Sequence, residues 1–89
     1  MPYITKEERH KFEYELDDLC GVMLQNDLVK GELTYLVYVI ALTYIKKHGK
    51  SYTNISSAIS CLIDAAEELR RKELNPYEDQ KIKENGDVT

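Results

Sequence analysis

The residues best suited to chemistry lie between positions 46 and 54, in the stretch Lys46-Lys47-His48-Gly49-Lys50-Ser51-Tyr52-Thr53-Asn54. Lys46, Lys47, His48 and Lys50 precede what reads as the start of a helix, where free backbone N–H groups favour anions. Ser51, Tyr52 and Asn54 add hydrogen-bonding groups and one aromatic face for stacking. Together these seven side chains could hold a phosphate. The competing explanation is ordinary capping of the helix by its hydroxyl and amide residues. Gly49-Lys50-Ser51 also resembles the end of a phosphate-binding loop. The earlier glycine of a Walker motif is missing, however, and the preceding segment reads as helix, not strand.

No catalytic constellation accompanies this segment. His10 and His48 fall on different elements, and neither pairs with a cysteine or carboxylate at metal-ligand spacing. Asp17-Asp18 and the group Asp64, Glu67 and Glu68 read as solvated helix faces. No activated nucleophile or acid–base pair is visible, so the chain reads as a non-enzyme needing no cofactor and no metal.

The element that must position the cationic segment is the run before it, Leu33 to Ile45, interrupted only by Thr34 and Thr43. At helical spacing it carries two apolar stripes. One holds Leu33, Leu36, Val37, Ile40, Ala41 and Tyr44; the other holds Tyr35, Tyr38, Val39, Leu42 and Ile45. A surface helix shows one such stripe, whereas a helix apolar all round is covered on several sides. The run rises about 20 Å, short of the roughly 30 Å needed to span a bilayer. It therefore reads as a central helix, from about 32 to 48, clasped by other helices or by another copy of the chain. Its β-branched residues would suit a strand, but its length and the Lys46-Lys47-His48-Gly49 stop favour helix.

The flanking elements follow from caps and periodicity. Thr5 and Glu8 form a capping-box pattern that opens a helix over about 6–25. Its apolar face is Phe12, Leu16, Leu19, Cys20, Met23 and Leu24, and Gly21 within it implies the close approach of a neighbour. A third helix, about 53–73, carries Ile55, Ile59, Leu62, Ala66 and Leu69 in steps of four and three, the seam of helix-on-helix packing. At its end Glu67 can reach Arg71, and Glu68 can reach Lys72. Asn75-Pro76-Tyr77-Glu78 then reads as an N-cap with proline at the first helical position, opening a short helix over about 76–85. Tyr77 and Ile82 are its sizeable apolar groups and are expected to dock it on the rest. The expected fold is all-α, a small bundle of three main helices plus a short C-terminal one, in a single domain over residues 1–89.

Composition sets outer bounds. The chain has 89 residues, 43% hydrophobic and 31% charged, which suits a globular protein. Its formal net charge of −4 argues against general nucleic-acid binding. Seven tyrosines against one phenylalanine and no tryptophan suit half-buried rims, interfaces and stacking. Cys20 and Cys61 fall on or beside apolar helix faces, are not a CxxC pair, and read as buried free thiols. The opening residues lack the apolar core of a signal peptide, and no membrane segment is found. A reducing cytoplasm is the expected compartment, with a disulfide between the two cysteines as the alternative.

Four motifs carry a resemblance. They are Pro2-Tyr3-Ile4-Thr5, Gly31-Glu32-Leu33-Thr34-Tyr35-Leu36, Ser51-Tyr52 with Asn54-Ile55, and the closing run from Pro76-Tyr77-Glu78-Asp79 through Lys81-Ile82-Lys83-Glu84-Asn85-Gly86-Asp87-Val88. In these the chain resembles a family of small uncharacterised proteins encoded by bacteriophages, prophages and bacteria, over nearly its whole length. Thr89 departs from the aromatic residue expected there. The family is a domain of unknown function, so the resemblance implies context and brings no catalytic residues.

The expectation is thus a phage or prophage accessory binding protein. The two-sided apolar character of the central helix implies a homo-oligomer, most simply a two-fold dimer. In one version it sequesters a small anionic, nucleotide-derived ligand through Lys46, Lys47, His48, Lys50, Ser51, Tyr52 and Asn54. In the alternative it is an inhibitor or adaptor that binds a host or phage protein through its acidic surface. The closing motif, with Pro76, Tyr77, Glu78, Asp79, Lys81, Asn85 and Asp87, would then be the docking element.

Overall fold

A computed structural model describes residues 3–88, and these form helices joined by short turns, with no strand among them. The order is α1 (Lys6–Leu24), α2 (Lys30–His48), α3 (Tyr52–Leu69), a π-helical segment (Arg70–Leu74) and α4 (Asn75–Asn85). The chain divides into two compact units, Met1–Leu36 and Val37–Thr89, with the division inside α2.

In the first unit, α1 starts where the chain supplies its own cap. The Thr5 N–H donates to Glu8 Oε1 at 3.0 Å, and the Glu8 N–H donates to Thr5 Oγ1 at 3.2 Å. Two orphan donors of the first turn are satisfied reciprocally. At the other end the Asn26 side-chain amide donates to the Val22 carbonyl at 2.7 Å. Leu28 then takes a left-handed φ of 49°, and the Val29 N–H donates to Glu32 Oε1 at 2.9 Å to open α2. The sequence carries no glycine at that reversal; asparagine and a glutamate cap replace it. Around Gly21 nothing lies within 4 Å of where a Cβ would stand, so the close neighbour expected there is not found.

In the second unit, the remainder of α2 ends at Gly49, whose φ of 102° and N–H bond to the Ile45 carbonyl (2.8 Å) close the helix. Inside α2, Thr43 Oγ1 donates to the Val39 carbonyl at 2.8 Å, as Thr34 does to Lys30 at 3.0 Å nearer its start. The two hydroxyls that interrupt the apolar run are thereby neutralised within the helix.

From Tyr52 to Asn85 the backbone stays helical without a break, which corrects the N-cap expected at Asn75. Asn75 has φ −63° and ψ −46°, and its N–H donates to the Arg70 carbonyl five residues back. The cause is Pro76. Within an α-helix its ring would collide with the carbonyl of Lys72, four residues earlier, and it has no N–H to give. One wider π turn displaces that carbonyl and lets the helix continue. Across this segment Glu68 binds both Arg71 and Lys72, at 2.5 and 3.0 Å. Arg71 was expected to pair with Glu67.

α2 holds no buried side chain among the described residues, so the buried core expected around it is not seen within either unit. Among the described residues Ala58 of α3 is the one buried side chain, at 4% relative exposure. None of α1, α2 or α4 holds a buried residue. Cys20 and Cys61, expected to be buried, are both exposed free thiols. No helix among the described residues is long and apolar enough to cross a membrane.

Candidate functional site

The hairpin of α2 and α3, within the second unit, builds two open clefts that meet at Ala41, Ala58 and Leu62. The larger, about 620 Å³, takes Tyr38, Leu42 and Ile45 from α2 and Ile55 and Ile59 from α3, with Lys46 and Lys50 at its turn end. The smaller, about 310 Å³, takes Val37, Ile40 and Tyr44 from α2 and Cys61 from α3. Val37, Ile40 and Tyr44 of the first stripe thus line the smaller cleft, Tyr38, Leu42 and Ile45 of the second line the larger, and Ala41 borders both. Each stripe repeats every three to four residues, and a helix presents such residues on one face.

The seven residues expected to hold an anion are divided by the fold. Ser51 is the N-cap of α3 (φ −152°, ψ 162°) and accepts from the Asn54 N–H at 3.1 Å. The Asn54 amide donates to the carbonyls of Gly49 (2.9 Å) and His48 (3.3 Å), which ties the turn shut. Capping thus occupies both polar groups. The His48 ring rests against Tyr44 one turn earlier, with centroids 4.5 Å apart and planes tilted by 48°. Lys47 points to solvent, as does Tyr52 at 88% exposure. Lys46 and Lys50 alone line the larger cleft, as cations at the end of an apolar wall.

The closing motif is gathered on α4 and the two residues after Gly86. Lys81 Nζ sits 5.5 Å from the centroid of the Tyr77 ring and 3.1 Å from Glu84, which also accepts from the Gln80 amide at 3.2 Å. Gly86, at φ 83°, donates its N–H to the Ile82 carbonyl and ends the helix. The Asp87 carboxylate accepts from the following N–H of Val88. A shallow cleft of about 400 Å³ runs along Tyr77, Glu78, Lys81, Asn85 and Asp87. Pro76 lies in the first turn of this helix, and Asp79 is exposed on it. Tyr77 and Ile82 were expected to dock the tail on the other helices, but both stay exposed. They line this cleft together with Val88.

Sequence reading missed Ile55 and Ile59 as partners of Lys46 and Lys50. The available signal was the second stripe of α2, which needs a facing apolar row and finds it on α3. Among the described residues no group of three or more His, Cys, Asp or Glu could hold a metal ion.

Residues 1–88 match the model of a family described as a domain of unknown function, DUF6899. The chain belongs to that family. No curated protein and no solved structure matches it.

Proposed function

We propose that this DUF6899 chain is a non-enzymatic binding protein that works as a homo-oligomer and sequesters a small anionic ligand, nucleotide-derived in class. The carrying observation is the larger cleft, with apolar walls and Lys46 and Lys50 at one end. Small-molecule sites pair a mostly apolar lining of some hundreds of Å³ with a few convergent polar groups. A base or other apolar body would lie along Tyr38, Ile45 and Ile59, and its phosphate would meet the two ammonium groups. The capped start of α3 adds no donors to this arrangement, so the anion's partners reduce to the lysines. Phage or prophage origin and a bacterial cytoplasm belong to this proposal through the motifs that carry the resemblance.

Isothermal titration of the full chain with AMP and with adenosine tests it. Expected is AMP binding at least about tenfold tighter than adenosine, with Lys46→Ala reducing AMP to the adenosine level and leaving helix content unchanged. Equal binding of the two compounds, or none of either, overturns the ligand reading.

A second reading rests on the cleft of α4, where the closing motif is ordered and exposed. There the protein is an adaptor or inhibitor that docks on a host or phage protein through Tyr77, Lys81 and Asn85. Deleting residues 76–89 is expected to abolish co-purification of a partner from infected cells while the oligomer persists. Loss of the oligomer on deletion would instead make the tail structural.

A further inference from the structure

The smaller cleft differs from the larger in one respect that matters for its occupant. No charged side chain lines it. It is lined by the small residues Ala41, Ala58 and Cys61 and by the larger Val37, Ile40, Tyr44 and Leu62. Val37, Ile40, Tyr44 and Leu62 are 38, 59, 38 and 39% exposed. At roughly 200 Å² for a large side chain, and with exposed Cys61 and Ala65 added, the face offers on the order of 400 Å² of apolar surface. A standard interface covers about 800 Å² per partner, a little over half of it apolar. The face therefore supplies the apolar share of one such interface.

We infer that this face is the contact between two copies of the chain, with their α3 helices crossing antiparallel about a two-fold axis near Cys61. The inference rests on the homo-oligomer reading above and names its surface.

Three observations select a second copy over another protein. Among the described residues α2 holds no buried side chain, so this apolar face is open whenever the second unit is folded and gains from a cover. A copy of the chain is a cover present in equal amount from synthesis onward. A two-fold contact also requires one patch to carry both the projection and the hollow that receives it. Here the large, exposed Ile40 and Tyr44 line the cleft together with the small Ala41 and the buried Ala58, so one patch offers both bulk and space. Finally, the chain carries a net charge of −4, so like copies repel at long range. A face without charge is where they can meet. Cys61 lies midway between Ala58 and Ala65 along α3, so an axis there brings it opposite its own counterpart. The larger cleft, with its lysines, stays open to a ligand.

The experiment combines sedimentation velocity with cross-linking of the full chain. Wild type is expected at twice 10.3 kDa at micromolar concentration. Ile40→Asp is expected to give monomer or unfolded chain, while Ile59→Asp, in the other cleft, remains a dimer. Because Ile40→Asp can fail to fold, a Cys20→Ser variant is treated with a short bis-maleimide. Cross-linked dimer is expected, and none after the further change Cys61→Ser. Monomeric wild type overturns both this inference and the homo-oligomer reading. A dimer that resists Ile40→Asp and does not cross-link through Cys61 overturns the face alone. The AMP titration is decided separately from either result.

Discussion

Glu8, Glu68 and Glu84 are held below the ordinary carboxylate value of 4.5 by neighbours within four residues of each. For Glu8 the cause is the Thr5 backbone N–H, then the Thr5 hydroxyl. For Glu68 it is the Lys72 ammonium, then Arg71, and for Glu84 the Gln80 amide, then Lys81. A carboxylate with a depressed folded-state pKa contributes stability that is present above its unfolded value and lost as pH falls through the folded one. Helix content followed by circular dichroism should therefore decline as pH is lowered below 4.5, and the Glu8→Gln variant should lose less over that window. At neutral pH, Thr5→Ala and Ser51→Ala should each cost about 1 kcal/mol, read as a lower urea midpoint, because each removes an N-cap acceptor. These local interactions are the most legible from sequence. Thr5 and Glu8 are three residues apart, and nothing distant is needed to bring them together. The role of Ser51 and Asn54 was less legible. The N–H groups that would bind a phosphate are the same ones a cap satisfies, and sequence does not say which acceptor takes them.

At the scale of the element, helix identity follows from stop and start residues that act within one turn. Gly49 and Gly86 end α2 and α4 at φ 102° and 83°, sparsely populated conformations that cost a residue with a Cβ about 1–3 kcal/mol. Gly49→Ala should accordingly lower stability by that amount in urea unfolding, with the helices otherwise retained. The junction at Asn75-Pro76 shows where such reading fails. An N-cap asparagine followed by proline and a π turn followed by proline share the same local letters. They differ in whether the Asn75 N–H reaches the Arg70 carbonyl. That choice is made by the helix already running into the junction, beyond the four-residue window of the motif. Replacing Pro76 with alanine restores a donor for the Lys72 carbonyl. Amide exchange around residues 74–78 should then slow, as an ordinary α-helical ladder replaces the wide turn.

At the scale of the molecule, a chain with Ala58 as the one buried side chain among its described residues has little of its own to fold around. The apolar run of α2 announced that something must cover it. Which face opposes which could not be read, because the angle between α2 and α3 that opens the clefts is set by no local pattern. If the cover is a second copy, folding and association are one equilibrium, and the melting temperature must depend on protein concentration. A tenfold dilution should lower it measurably in calorimetry, and an unchanged value would show that the chain is stable alone.

The π turn has a further consequence, concerning angular phase. Each residue of an α-helix advances the side-chain direction by about 100°, and the wide turn at Arg70–Leu74 absorbs one residue more than a regular turn would. Tyr77, Lys81 and Asn85 are therefore rotated about the helix axis relative to the direction they would face on a regular continuation of α3. A single-residue deletion in this segment would swing the whole closing motif to a new azimuth while leaving every residue of it intact. Among relatives, spacing across this segment should thus be held as strictly as the identity of the motif, since a motif with the right letters and the wrong phase would present itself to empty solvent.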